Sequence, residues 1–197
     1  MRPTLDFLLF DVLDAAALTQ RARFADHSAE TFAAVLDTCE RIAREKFAPY
    51  NRLADTQEPH FDGERVHLPD ATRDAVRAYA ESGMLAAAQD AEVGGMQLPC
   101  VIEMAANAFF HKASISMAGY ALLTSGNANL LMAHGTPLQR EVFAKNQFSG
   151  RWTGTMCLSE PQAGSSLSDV ATRAEPDGPG FETDPLGPRY RLRGNKM

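Results

Sequence analysis

The sequence predicts an α+β fold, with an all-α helical bundle over residues 1–150 followed by the beginning of a β domain over residues 151–197. Apolar residues recur at helical spacing through most of the first segment, whereas after Gly150 they alternate with polar residues between turn-forming residues. Charge also separates the two segments. Residues 151–197 hold six basic and six acidic residues, so the net charge of −6 arises entirely in residues 1–150.

The clearest early helix follows Ser28, a residue type that caps helix N-termini. Pro49 is expected to stop this helix, and residues 5–13 predict an amphipathic helix upstream of it. The apolar positions that repeat at helical spacing after Ser28 are Phe32, Val35, Leu36, Cys39, Ile42, Ala43 and Phe47.

Further helices are predicted by the same rules. Asp70 is expected to cap a helix that ends at Gly83. Residues 99–112 and 115–133 are apolar enough to form helices that are buried on most sides.

Residues 135–139 predict a turn between two helices. Gly135 is expected to end one helix and Thr136 to cap the next, with Pro137 at its first position. Gln139 then has the spacing that closes a capping box with Thr136.

Candidate strands in the second segment are residues 152–158, 169–175 and 190–193. Residues 176–189 contain four prolines and three glycines, which predicts a long hairpin loop between the last two strands. Because an independent sheet needs more strands or a covering layer, we expect that residues after Met197 are missing from this sequence.

Composition excludes several classes of protein. The acidic balance and the absence of a basic stripe disfavour nucleic-acid binding. No stretch is long and apolar enough for a membrane span, and no targeting sequence is recognised. The odd number of widely separated cysteines favours a reducing, cytoplasmic compartment. No metal site is expected, because His27, His60, His67, His111 and His134 lack paired ligand spacing.

The most informative run is residues 154–166, Gly-Thr-Met-Cys-Leu-Ser-Glu-Pro-Gln-Ala-Gly-Ser-Ser. A strand edge here would offer backbone amides to a planar heterocycle, with one hydroxyl beside the ring and a small-residue loop for a phosphate. The alternative is a strand, a tight turn and a polar loop without a ligand, and composition alone favours that alternative.

Residues 157–166 resemble the flavin-binding signature of the acyl-CoA dehydrogenases, C-[LV]-[ST]-E-P-x-A-G-S-D. Other family motifs occur in the same order. Residues 93–99 resemble the G-G-x-G-[LM] loop, and residues 135–139 resemble the G-[ST]-x-[ED]-[QL] helix junction. Residues 172–174 and 190–196 are similar to the T-x-A and Y-x-L-x-G-x-K strands. The resemblance covers roughly residues 80–197.

The opening of the chain extends this resemblance. Residues 5–13 are similar to the extra N-terminal helix of the large acyl-CoA dehydrogenases, including those like methylmercaptopropionyl-CoA dehydrogenase. The alternative is a simple amphipathic first helix that packs on the bundle. For the β segment, the family fold implies the start of a β-barrel-like middle domain, with the C-terminal helical domain absent from this sequence.

The resemblance implies that FAD is the cofactor and that the pyrimidine edge of its ring lies near the backbone of Met156 and Leu158. It places the Ser159 hydroxyl at flavin N5 and the pyrophosphate at Gly164 and Ser165, where small size is required. Ser165 also matches a family contact to the acyl-CoA substrate. The implied cofactor-binding residues are Met156, Cys157, Leu158, Ser159, Gly164 and Ser165.

Three neighbouring residues are interpreted structurally. Ser166 stands where the family more often has Asp, and its hydroxyl is expected to cap the following turn. Glu160, which precedes Pro161, is interpreted as a carboxylate that fixes the turn rather than as a catalytic base. Cys157 is expected to be a core thiol with no partner for nucleophilic chemistry.

A set of apolar side chains lies on helices that line the acyl pocket in the family, although each taken singly is better explained as core. These residues are Phe109, Phe110, Tyr120, Leu122 and Leu123.

The family reaction converts an acyl-CoA to a trans-2-enoyl-CoA, and the electrons pass to an electron-transfer flavoprotein. The resemblance implies that the catalytic base is a Glu of the C-terminal domain, beyond Met197, so no residue of this chain is assigned as catalytic. That domain also supplies much of the adenine site and the interface of a homo-oligomer, a dimer or tetramer. Residues 1–197 alone are therefore expected to be inactive.

Other functions stay open from the sequence. The chain could be a truncated product that survives as a helical binding module, although an unpaired strand edge argues against it. It could also be a relative with altered chemistry, such as an acyl-CoA oxidase, a nitroalkane oxidase or the relative associated with alkylated DNA. The acidic charge weighs against the last of these.

Overall fold

The structure is a computed structural model that describes all residues from Met1 to Met197. Most of the chain as far as Phe148 is helical, and the strands are short. The helices are α1 (Arg2–Asp6), α2 (Ala29–Ile42), α3 (Asn51–Thr56), α4 (Asp70–Glu81), α5 (Cys100–Ala113), α6 (Ile115–His134), α7 (Pro137–Gln139) and α8 (Lys145–Phe148).

Four strands form two separate antiparallel hairpins. In the first, β1 (His60–Phe61) pairs with β2 (Val66–His67). In the second, β3 (Arg173–Pro176) pairs with β4 (Tyr190–Arg193), with Arg173 opposite Arg193. This hairpin and its long loop were predicted, but β3 begins at Arg173 rather than at residue 169.

The predicted strand over residues 152–158 is wrong, because this segment is irregular in the structure. A strand needs a hydrogen-bonded neighbour, and no other strand of the chain pairs with residues 152–158. The expected barrel-like arrangement is therefore not shown.

Ser28 caps α2 as predicted. Its hydroxyl accepts a hydrogen bond from the Thr31 amide, and the Thr31 hydroxyl accepts one from the Ser28 amide, which completes a capping box. The helix continues through a π-helical turn at Ala43–Phe47 and a 3-10 turn at Ala48–Tyr50. The expected amphipathic first helix is also present, as α1 followed by a π-helical turn at Phe7–Val12.

The N-terminus of α4 differs by one residue from the prediction. Pro69 occupies the cap position, and Asp70 is the first helical residue. There the Asp70 carboxylate still interacts favourably with the positive end of the helix dipole. Gly83, which follows the helix, has the left-handed φ of 80° that glycine adopts readily.

The core lies among α2, α4, α5 and the start of α6. Its centre is aromatic: the Phe110 ring meets the Phe47 ring edge-on at 5.1 Å and the Tyr79 ring at 4.8 Å between centroids. The Tyr79 hydroxyl donates to Asn107 Oδ1 at 2.7 Å, which satisfies its polar end. Among the predicted apolar positions of α2 and its extension, Phe32, Leu36, Cys39, Ala43 and Phe47 are fully buried.

Helices α5 and α6 occupy the predicted ranges, but the expected burial of α6 on most sides is wrong. Ile115, Leu122 and Leu130 are each more than half exposed. The helix contacts α3, α4, α5, α8 and the π-helical turn at Arg140–Ala144. Its buried residues recur at helical spacing and so lie on one face: Met117, Ala118, Ala121, Thr124 and Ala128. No helix in the structure has the length and apolar character needed to cross a membrane.

The predicted turn after α6 is confirmed. The Gln139 amide donates to Thr136 Oγ1 at 3.2 Å, and the Thr136 amide donates to Gln139 Oε1 at 2.9 Å. Pro137 is the first residue of α7, which leads through a π-helical turn into α8.

Candidate cofactor site

The segment from Thr155 to Ser159 is the part of the candidate site with free backbone donors. None of its amides donates a hydrogen bond to another group of the chain. Its side chains are also open, since Met156 is 67% exposed and Leu158 is 42% exposed. The backbone therefore offers a row of donors to a ligand or to another strand.

Cys157 lies in this segment and is exposed, so the expectation of a core thiol is wrong. The expectation assumed a strand with one covered face. Because the segment is not a strand and no layer covers it here, neither of its faces is buried.

A tight turn over residues 160–163 then brings two predicted site residues, Ser159 and Gly164, close together. The Glu160 amide donates to the Ala163 carbonyl at 2.7 Å, and the Ala163 amide donates back at 3.1 Å. A Cβ atom added to Gly164 would lie 3.7 Å from Ser159 Oγ and close to nothing else. Packing within the chain thus does not require glycine at this position.

Glu160 is nearly buried beneath this turn, with 4% of its surface exposed. Its carboxylate accepts hydrogen bonds from the amides of Ala171 and Thr172, at 2.8 and 2.9 Å. It also accepts one from Gln162 at 2.7 Å and pairs with Lys196 at 2.9 Å. With four donors on its two oxygens, Glu160 is a turn-fixing group, as interpreted from the sequence.

These contacts stabilise the charged form of Glu160. The amides of Ala171 and Thr172 and the Lys196 ammonium hold the pKa of this carboxyl well below its usual range. Because Thr172 Oγ1 has no hydrogen-bond partner in the chain, the two backbone amides and Lys196 carry most of this effect.

The last two residues of the chain also reach the site, which the sequence did not reveal. Lys196 Nζ donates to the Leu158 carbonyl at 3.1 Å, and the Met197 amide donates to the Ser159 carbonyl at 3.0 Å. They therefore hold the carbonyls of Leu158 and Ser159, whereas the amides of these two residues donate to no group of the chain.

The loop after Gly164 has free donors as well. The amides of residues 164–168 donate to no group of the chain, and Ser165 is exposed. The expected hydroxyl cap by Ser166 is absent, because its carbonyl rather than its side chain closes the turn, accepting from the Asp169 amide at 3.0 Å.

The donor set fits a flavin nucleotide in chemical type. Free amides at residues 155–159 match the acceptor atoms on the edge of a planar heterocycle, and those at residues 164–168 match a phosphate. Ser159 supplies a hydroxyl between the two groups of amides.

The fold does not bring the residues expected near an acyl pocket together in one site. Phe109 and Phe110 are buried in the core, whereas Leu122 and Leu123 are exposed. Tyr120 lines a cavity of about 340 Å³ between α4 and residues 149–153. The structure thus supports the core interpretation for the two phenylalanines.

Comparison with known proteins identifies the family. The family model "Acyl-CoA dehydrogenase, N-terminal domain" matches residues 29–151. The 3-methylmercaptopropionyl-CoA dehydrogenase of Ruegeria pomeroyi is 35% identical over 83% of this chain and 26% of its own length. A butyryl-CoA dehydrogenase of Syntrophomonas wolfei is 30% identical over 83% of this chain and 26% of its own length. The chain therefore spans about a quarter of each of these relatives.

A solved structure supports the fold. A chain from the electron transferring flavoprotein study of Acidaminococcus fermentans matches 87% of this chain and 40% of its own length, with a TM-score of 0.67 and 20% identity. The predicted resemblance, including the likeness to methylmercaptopropionyl-CoA dehydrogenase, is confirmed by these sequence relatives. The chain belongs to the acyl-CoA dehydrogenase family.

Proposed function

We propose that this chain serves the FAD-dependent dehydrogenation of an acyl-CoA thioester to a trans-2-enoyl-CoA, with residues 154–166 in contact with the flavin. The observation that carries the proposal is the row of unpartnered amides at residues 155–159, which runs directly into Ser159 and Gly164. This row coincides with the segment that resembles the family's flavin signature. Membership of the family supports the same assignment.

The residues of the site have distinct roles in this proposal. The backbone of residues 156–158 binds the pyrimidine edge of the flavin ring, and the Ser159 hydroxyl lies at the ring atom that accepts hydride. Gly164 and Ser165 donate amides to the pyrophosphate, and Ser165 also contacts the acyl-CoA. FAD, when bound, supplies the acceptor for the hydride that leaves the substrate β-carbon.

The base that removes the α-proton is proposed to lie outside these 197 residues. Glu160 is the buried carboxylate at the site, and its oxygens already accept four hydrogen bonds. A carboxylate held in its charged form by four donors is a weak proton acceptor. We therefore propose that this polypeptide alone neither holds FAD tightly nor turns over an acyl-CoA.

In the complete enzyme we expect a homo-oligomer that delivers its electrons to an electron-transfer flavoprotein. The direct test is the purified 197-residue protein, verified by its intact mass of 21.4 kDa and assayed with an acyl-CoA, FAD and an artificial electron acceptor. We expect no turnover and no flavin absorbance after gel filtration. Turnover at a rate typical of a dehydrogenase would overturn the proposal that the base lies elsewhere.

A second experiment tests the flavin segment itself. FAD added to the purified protein should bind weakly and saturably, and Gly164→Val should abolish this binding without changing the free energy of unfolding. Gly126→Val is the matched control, because Gly126 is exposed on α6 and a Cβ atom added there meets nothing within 4 Å. Equal FAD binding by the Gly164 variant and the wild type would exclude the segment as the flavin site.

A non-enzymatic alternative follows from the same row of amides, because a neighbouring strand would also satisfy residues 155–159. In that case the protein would bind an extended peptide or a second copy through this edge. Concentration-dependent self-association without any FAD binding would favour the alternative.

A further inference from the structure

Thr124 is a buried polar residue on α6 whose role is not explained by packing. Only 2% of its surface is exposed. Burying a hydroxyl is unfavourable unless it is hydrogen-bonded. Thr124 Oγ1 donates to the Tyr120 carbonyl at 2.7 Å within the helix, and it accepts from the Gly154 amide at 3.1 Å. The second bond joins the helix to the residue directly before the row of free amides.

Gly154 lies too close to its surroundings to accept a side chain. A Cβ atom added there would lie 2.8 Å from Asn127 Cβ and 2.9 Å from Gln147 Oε1. Gln147 is buried, and its Nε2 donates to Asn127 Oδ1 at 2.8 Å. The backbone at Gly154 is thus pressed against α6 and α8, with the Thr124 hydroxyl as its hydrogen-bond partner.

The chain between Gly154 and Leu158 has no other anchor. The amides and carbonyls of residues 155–157 make no hydrogen bond within the chain. The next fixed points are the carbonyls of Leu158 and Ser159, held by Lys196 and Met197. The position of residues 155–157 is therefore set by the contacts at its two ends.

We propose that Thr124 is a positioning residue: its hydroxyl fixes Gly154 and thereby sets where residues 155–159 present their amides. The role of those amides toward a flavin rests on the function proposed above, whereas the positioning itself does not. Thr124 contacts neither substrate nor cofactor in this proposal and acts only through Gly154.

The test uses the 197-residue protein with a trifluoromethyl tag on Cys157, read by ¹⁹F NMR. Cys100→Ser removes the other exposed thiol, and Cys39 is buried. Thr124→Val keeps the shape of the side chain without the hydroxyl, so the Cys157 signal should shift and broaden. Thr124→Ser restores the hydroxyl and should restore the wild-type signal.

Ser125→Ala is the matched control, because its hydroxyl lies on the same helix but donates to the Leu85 carbonyl at 3.2 Å. This variant should leave the Cys157 signal unchanged. An unchanged signal in Thr124→Val, or the same change in Ser125→Ala, would overturn the proposal.

A further measurement needs no variant. The Gly154 amide should exchange its hydrogen more slowly than the amides of residues 155–157, which have no acceptor. Equal exchange rates would also overturn the proposal, even if Thr124→Val failed to fold. FAD binding is followed separately in the untagged protein through Trp152, the single tryptophan. A change in the Cys157 signal of Thr124→Val, together with no change in Trp152 fluorescence when FAD is added, would refute the flavin function and leave the positioning role intact.

Discussion

Residues of one chemical type acquire different properties from their surroundings in this protein, and the three cysteines show this most clearly. Cys39 lies in the core, and burial raises the pKa of its thiol to about 12. Cys100 and Cys157 are exposed. Since the thiolate is the reactive form, the buried thiol should be inert while the protein stays folded.

This difference gives a direct prediction. A thiol reagent such as an aromatic disulfide, added at pH 8, should modify two thiols quickly and the third only after denaturant unfolds the protein. Cys39→Ala should leave the fast phase unchanged and remove the slow one. Rapid modification of three thiols in the folded protein would contradict the buried position of Cys39.

Glu160 shows the opposite effect, because its contacts lower rather than raise the pKa of the carboxyl. A lowered pKa means that the charged group stabilises the folded state above the pKa it has when unfolded, about 4.3 for an ordinary glutamate. This stabilisation is lost only as the pH falls through the lower pKa of the folded state.

We therefore expect the turn at Glu160 to stay ordered from pH 7 to below pH 4. The chemical shift of the Glu160 side-chain carboxyl carbon, followed by NMR, should show its titration well below about 4.3. Glu160→Gln removes the charge at every pH and should loosen residues 160–172 already at pH 7. A titration midpoint at the ordinary value would show that the four donors do not hold the carboxylate.

At the scale of elements, Gln139 joins the helical part of the chain to the second hairpin. Its Oε1 accepts from the Thr136 amide and so closes the capping box of α7. Its Nε2 donates at 2.5 Å to the Leu186 carbonyl, in the loop between β3 and β4. One side chain thus serves two structures through two different atoms.

Substitutions can separate these two roles of the Gln139 side chain. Gln139→Glu keeps an acceptor for the Thr136 amide but replaces the donor to Leu186 with a carboxylate oxygen. We expect unchanged helical circular dichroism and faster proteolysis within residues 177–189. Thr136→Ala is the complementary variant, because it removes the cap acceptor and should destabilise the helix by about 1 kcal/mol. Equal protease resistance in Gln139→Glu would show that the bond to Leu186 does not hold the loop.

For the whole molecule, the aromatic centre of the core contains some of the largest fully buried side chains. Phe110 is fully buried between Phe47 and Tyr79. Replacing such a side chain by alanine removes its burial and leaves a cavity.

Phe110→Ala should lower the free energy of unfolding by about 3–5 kcal/mol, measured by urea denaturation. Leu130→Ala is a suitable control, since Leu130 is 58% exposed and should change the value by less than about 0.5 kcal/mol. Similar losses in the two variants would contradict the position of the core.

The sequence alone determined most local features of the helical part. Ser28, Thr136 and Gln139 act within three residues of their partners, so the pattern of residue types is enough to place the helix ends. The β3–β4 hairpin followed from turn residues in the same way. The flavin-like motif was also visible in the chain, although its binding role and the boundary at residue 150 stay predictions.

Tertiary structure decided what depends on distant partners. Residues 152–158 alternate like a strand but are irregular, because no neighbouring strand pairs with them. Cys157 is exposed for the same reason. Thr124 gained its contact with Gly154 only when folding brought together residues 30 positions apart. Local propensity fixes where a helix starts and ends, whereas burial and pairing depend on which other segments cover each surface.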